Sequence, residues 1–147
     1  MQKIKIFDAG NRLSKTEKRE VVDFLHENLE QYGDSKADIT KAIDYSLQEY
    51  DSDGGFTMVI QDDEKIRGAV VINRTGMSGY IPENILVYIA TDKNCRGEGL
   101  GKKLLRDAID HTQGDIALHV DAENQGARML YQKFGFQAPY IEMRLKR

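Results

Sequence analysis

Disulfide bonding is the first thing the sequence cannot support, because its 147 residues contain one cysteine, Cys95. A chain of this length can bury a core without covalent staples, so the absence costs the fold nothing. Excess positive charge is also missing: 21 Lys and Arg face 24 Asp and Glu, for a formal net charge of -3. Neutralising a nucleic-acid backbone needs the opposite balance on one face, so no nucleic-acid partner is expected. No stretch approaches the ~18 consecutive apolar residues of a membrane span, and the N-terminal MQKIKIFDAG lacks the apolar run of a signal peptide. The expected setting is a reducing cytoplasm with no membrane partner. Two prolines leave little room for a linker, and neither an internal repeat nor a low-complexity tract is present. One domain over residues 1–147 follows.

What is present is 40% hydrophobic and 31% charged, the balance of a globular chain, and its periodicity changes along the sequence. KIKIF (3–7) alternates as an opening strand. Ser14 and Glu17 have capping-box spacing ahead of a helix with Val21, Leu25, Leu29 and Tyr32 on one side, closed by Gly33. A second helix is predicted from Ala37 to Tyr50, stopped by DSDGG. GFTMVIQDDEKIRGAVVINRTG then reads as a hairpin with an acidic turn, and ENILVYIATD as a more continuously apolar strand, the centre of the sheet. A third helix starts near Gly99 with Leu100, Leu104, Leu105, Ala108 and Ile109 as its stripe. DIALHVDAEN reads as a strand, QGARMLYQKFGF as a helix, and YIEMRLKR as a final strand. The order implies an α/β sandwich on a mixed sheet, with a parallel strand–helix–strand unit over residues 83–121.

The stretch NCRGEGLGKKLL (94–105) sets three glycines against the start of a helix. Glycine admits positive φ and lets a bulky anion approach the main chain, while the first N–H groups of the helix have no internal partner. Together they make an anion cradle. A Walker loop fails here because Gly101-Lys102 is followed by Lys103, and a dinucleotide fingerprint fails because Gly97, Gly99 and Gly101 are evenly spaced. The residues do fit Arg-x-x-Gly-x-Gly as Arg96, Gly99 and Gly101. Downstream, Asn124, Ala127, Leu130, Tyr131, Lys133, Gly135 and Phe136 fit Asn-x-x-Ala-x-x-Leu-Tyr-x-Lys-x-Gly-Phe.

Both motifs, in this order, resemble those of the GNAT N-acetyltransferase superfamily, over most of the chain from about Gly55 onward. The resemblance implies a mixed, mostly antiparallel twisted sheet with a central splayed parallel strand pair and helices on both faces. It implies acetyl-CoA as cosubstrate, with the main chain of Ile89 and Thr91 bonding the pantetheine arm. N–H groups of Arg96, Gly97, Glu98, Gly99, Leu100, Gly101 and Lys102 would hold the diphosphate. Lys93 stands where the family usually has Pro. A homodimer through the terminal strands belongs to the same pattern.

For the chemistry, Tyr131 is the candidate acid for the departing thiolate, since a phenol of pKa near ~10 keeps its proton at neutral pH. Its structural alternative is a core aromatic. Glu83 is the candidate base, although the family's commonly acidic position falls on Ile85, and a solvated strand-end carboxylate is the plainer account of Glu83. Asn124 is a candidate for bonding pantetheine or capping a helix. Lys133, with Lys102, Lys103 and Arg128, could meet the 3′-phosphate or simply be solvated. Cys95 has no base paired with it, and His26, His111 and His119 have no metal-ligand spacing, so no metal is expected. The expected activity is direct acetyl transfer, in a ternary complex, to a primary amine of a small molecule or peptide. Asp34, Asp38, Asp44 and Glu49 could attract a cationic acceptor. The rivals are a CoA-binding module without turnover, acting as sensor or partner-binding subunit, and a transferase of a larger acyl group.

Overall fold

Local signals open the first elements of the computed structural model, which describes residues 1–147. Strand β1 (Gln2–Phe7) leads to helix α1 (Lys15–Leu29) through the expected capping box: Ser14 Oγ accepts from the Glu17 N–H at 3.1 Å, and Glu17 Oε1 accepts from the Ser14 N–H at 2.8 Å. Two otherwise orphaned donors are satisfied there. The helix stops earlier than its spacing suggests. A 3-10 turn covers Glu30–Tyr32 and leaves Tyr32 40% exposed, while the buried side of α1 is Val21, Val22, Leu25 and the polar Asn28. Helix α2 (Lys36–Leu47) ends three residues before Tyr50, where Gln48 takes up left-handed backbone at φ 54°.

Strands β2 (Gly55–Asp62) and β3 (Lys65–Arg74) form the expected hairpin. Its two turn residues, Asp63 and Glu64, both have positive φ (51° and 65°), the conformation that most often calls for Asn-Gly. Strand β4 (Asn84–Thr91), helix α3 (Leu100–Asp110), strand β5 (Ile116–Leu118) and helix α4 (Gln125–Lys133) complete the chain. The sheet order is β1-β2-β3-β4-β5, antiparallel up to β4 and parallel between β4 and β5. One core cluster lies under α1 and α2 and includes Ile39, Ile43, Val71, Tyr88 and Ala90. The other lies under α3 and α4 and includes Ile72, Leu86, Leu104, Leu105 and Tyr131. The sheet is thus covered on both faces.

Two expectations are corrected. The strand read over DIALHVDAEN is regular only at Ile116–Leu118, and its pairing with β4 ends at Leu86 opposite Leu118. YIEMRLKR forms no strand: residues 137–147 lack regular structure, and Tyr140, Ile141, Met143 and Leu145 are 79–90% exposed. Alternation gives a strand only where an edge is paired, and β5 offers too short a regular edge. The parallel pair therefore sits at the end of the sheet rather than at its centre.

Leu104 is fully buried among the side chains that hold α3 to the sheet. Leu104→Ala should cost about 2–5 kcal/mol of unfolding free energy, read from a denaturant midpoint.

Candidate functional site

Strand β4 carries an irregularity that shapes the site. Val71 pairs with Tyr88 but Ile72 pairs with Leu86, so Val87 is an extra residue on the β4 side. Such a bulge bends its strand and sharpens the local twist. The bend falls one residue after pairing with β5 stops. Val87 and Tyr88 both pack toward α1 and α2, whereas Leu86 and Ile89 pack toward α3 and α4. Beyond the bulge, the Asp92 N–H donates to the Arg67 carbonyl at 2.8 Å, so strand alternation turns the peptide groups of Ile89 and Thr91 away from β3. They face the side from which β5 has departed.

The loop after β4 continues that open edge. Gly97 and Gly99 have φ of 89° and 78°, and a Cβ on either would meet nothing within 4 Å. Gly99 caps α3 without any side-chain bond. The first helical bond runs from Lys103 N–H to the Gly99 carbonyl, which leaves the N–H groups of Leu100, Gly101 and Lys102 without an intrahelical partner. Glu98 and Lys102 are exposed.

Fixed side chains brace this flexible stretch from behind. Asp92, 6% exposed, accepts from the Asn94 N–H at 2.9 Å and from Arg67 Nη1 at 2.8 Å. The Asn94 bond, ahead of the guanidinium, holds its carboxyl below the usual range. Asn28 of α1 accepts from the Lys93 N–H at 2.9 Å. Arg96 turns its guanidinium back to α1, donating to the Asn28 carbonyl at 3.2 Å and pairing with Glu30 at 2.8 Å. The Arg96 side chain is thereby occupied, and only its main chain is offered to the loop's open side. Cys95 Sγ lies 3.5 Å from Arg67 Nη1.

Helix α4 packs on the first turn of α3, with Leu130 Cδ2 3.8 Å from where a Cβ on Gly101 would stand. Tyr131 follows, 8% exposed and with its ring centroid 5.7 Å from that of Phe136. Burial pushes its phenol pKa up to about 12, so the proton stays on at neutral pH. Asn124 caps α4, its Oδ1 accepting from the Ala127 N–H at 3.3 Å. Of the candidate phosphate partners, Lys103 lies 3.7 Å from Asp107 and Arg128 donates to the Ala122 carbonyl. Lys102 and Lys133 are exposed.

Glu83 stands apart from this group. It lies eight residues before Thr91, about 26 Å along an extended strand, and lines an all-polar depression of ≈ 430 Å³ with Arg74, Asn84, His111 and Gln113. Its carboxylate accepts from the Asp115 N–H at 2.7 Å and from the Gly79 N–H at 3.1 Å. These bonds, Asp115 first, lower its pKa, which makes it a weaker base and a brace between loops. Ile85, two residues further along, has no proton to exchange.

Two features escaped sequence reasoning. Asn28 was visible as a polar residue at the helical spacing of Val21 and Leu25, but nothing in the pattern told what it would bond. The contact between Tyr88 Oη and Asp34 Oδ2, at 2.6 Å, joins residues 54 apart and left no local signal.

The sequence model of the Acetyltransferase (GNAT) family matches residues 20–136. A 5-NmdU N-acetyltransferase of Pseudomonas phage PaMx11 is 31% identical over 83 residues, 56% of this chain and 57% of that protein. N-alpha-acetyltransferase RimI of Mycobacterium tuberculosis is 35% identical over 60 residues, 40% of this chain and 38% of that protein. The matches thus span 57% and 38% of the lengths of these curated relatives, less than two thirds in both cases. Among solved structures, the NatC complex bound to Gag peptide and CoA is similar at a TM-score of 0.70, with 20% identity over 97% of this chain and 86% of that one. The ribosomal-protein-S18-alanine N-acetyltransferase of Escherichia coli gives 0.66, with 18% identity over 93% and 78%. At such identities the likeness establishes the fold.

The Glu83 brace has a pH signature. A carboxyl whose folded pKa lies below its ordinary 4.5 adds stability that is present above that value and lost as pH falls through the folded pKa. Glu83→Gln should lower the unfolding midpoint near neutral pH and flatten its decline below about pH 4.5, as measured by thermal unfolding across that range.

Proposed function

The chain belongs to the Acetyltransferase (GNAT) family, and from that premise we propose that it transfers the acetyl group of acetyl-CoA to a primary amine by direct attack in a ternary complex. The observation that carries the reading is the continuity of the open edge: unpaired peptide groups at Ile89 and Thr91, then Gly97 and Gly99 with nothing above them, then the uncapped start of α3. Energetics favour this combination over a helix end alone. The dipole of one helix contributes roughly 0.3–1 kcal/mol, whereas a micromolar ligand needs about 8 kcal/mol. Several N–H bonds to charged oxygens, each about 1.5–3 kcal/mol, close the gap. Main-chain groups from Arg96 to Lys102 would hold the diphosphate, and those of Ile89 and Thr91 would bond the amides of the pantetheine arm.

When bound, acetyl-CoA would supply a thioester whose carbon–sulfur bond breaks as a neutral amine forms the carbon–nitrogen bond; the nitrogen gives up one proton and the sulfur takes one, so the coenzyme leaves as the thiol with no net proton released. Tyr131 Oη keeps a proton available on the α3/α4 side of the sheet and donates it to sulfur. Its burial suits it to that work, because a phenol with a raised pKa is a proton store rather than a base. Glu83, held by two N–H groups, has no part in proton removal in this reading, so the amine is deprotonated by solvent. Association of two chains belongs to the same reading, through exposed residues 137–147 and the outer edge of β5, which pairs with no strand.

Calorimetry should detect coenzyme A binding, and Gly99→Val should weaken it at least about tenfold, since a β-branched residue resists φ of 78° and its side chain would fill the open space. Tyr131→Phe should instead lower kcat by about 10²-fold with coenzyme affinity unchanged. An unaltered rate would remove Tyr131 from the mechanism.

A further inference from the structure

The all-polar depression that Glu83 lines lies at the other end of β4 from the open edge. Asn84 stands five residues before Ile89, about 17 Å along an extended strand. Here β4 is paired on both sides, Asn84 with Arg74 of β3 and with Ile116 of β5. A ligand in this place would not touch the coenzyme edge. Strand alternation puts Arg74 and Asn84 on the α3/α4 face, two residues beyond Ile72 and two before Leu86. His111 closes α3 on the same face, its ring centroid 4.7 Å from that of Phe56.

The lining side chains bring polar groups that the chain itself leaves unused. Asn84 is 5% exposed, and its Nδ2 donates to the carbonyls of Gln113 at 2.7 Å and Asp115 at 3.1 Å, which fixes the amide plane. Its Oδ1 accepts from no group of the chain. The unpartnered Asn73 Oδ1 is sealed within the protein, whereas that of Asn84 is not sealed and opens onto the depression. A buried amide held on one side and unpaired on the other is an acceptor set for an incoming donor. Arg74 engages only its main chain, the N–H donating to the Gly54 carbonyl at 2.8 Å and the carbonyl accepting from the Tyr45 hydroxyl at 2.6 Å. Its guanidinium makes no ion pair within the chain. Glu83 brings the opposite charge, and each of its oxygens accepts one N–H and keeps a further lone pair.

The signs of these charges decide the ligand class. A lone anion would meet Glu83 and the negative end of α3, and a lone cation would meet Arg74. A zwitterion satisfies both, its carboxylate forked on the Arg74 guanidinium and its ammonium donating to Asn84 Oδ1 and Glu83. The volume of ≈ 430 Å³ falls within the range of about 300–1,000 Å³ for small-molecule sites, yet no hydrophobic residue lines it. The ligand is therefore small and polar throughout. We infer that this depression binds a free α-amino acid with a short polar side chain, apart from the coenzyme edge. Such a site stands whether or not the chain transfers acetyl groups.

The test titrates the whole chain calorimetrically, without coenzyme, with glycine, L-serine and L-glutamine. At least one should bind with a Kd of about 1 mM or below. Its N-acetyl derivative, which lacks the ammonium, and its amide, which lacks the carboxylate, should each bind at least about tenfold more weakly. Arg74→Gln should weaken binding of the free amino acid by about tenfold or more, and Arg74→Lys should recover only part, because an ammonium lacks the bidentate fork. Arg74 supports the fold through its main chain alone, so these variants should keep the wild-type unfolding midpoint. Coenzyme A affinity should be the same in wild type and Arg74→Gln. A wild type that binds none of the three amino acids overturns the assignment. So does equal binding by wild type and Arg74→Gln, or equal binding of either derivative. Failure to bind coenzyme A would remove the acetyl-transfer reading and leave this site in place.

Discussion

The peptide groups of a sheet interior are committed to neighbouring strands, so a strand can serve a ligand only where its neighbour leaves, and in this fold that place is fixed by the bulge at Val87. The bend falls where β5 ceases to pair, after Leu86 opposite Leu118. From there to Thr91 the strand is held by β3 on one side only. The same bulge sends Tyr88 to the α1/α2 face while Ile89 returns to the α3/α4 face. One irregularity thus coincides with the open edge and sends different side chains to its two faces.

Glycine-rich loops are flexible, and flexibility opposes tight binding because the ordering cost falls due when the ligand arrives. The structure counters this with side chains behind the loop. Asp92 holds the turn after β4 through Asn94 and Arg67, and Asn28 and Arg96 tie the same loop to the end of α1. These residues leave the main chain of the loop clear. Rigidity is supplied from one side and access from the other.

Most of the fold was legible because its signals are local: the Ser14–Glu17 box, the alternation in β2 and β3, and the stripe of α3 each work within one element. The glycine loop was legible for the same reason. What escaped depended on pairing between distant segments. YIEMRLKR alternates as well as any strand, yet it lies unpaired, because alternation specifies a face and not a partner. The early end of β5 and the extra residue in β4 are register properties, set by how strands meet. Glu83 illustrates the converse. Its position at the head of β4 was readable, but the two N–H groups that depress its basicity come from Gly79 and Asp115, on separate loops.

Val87 is more consequential for its presence than for its chemistry. Loss of that one residue would let β4 straighten and continue its ladder with β5, so a more regular sheet would close the slot. Side-chain replacements along β4 and changes in its length thus have different physical consequences. A deletion of one residue between Leu86 and Ile89 would keep the face alternation of β4 and yet remove its open edge.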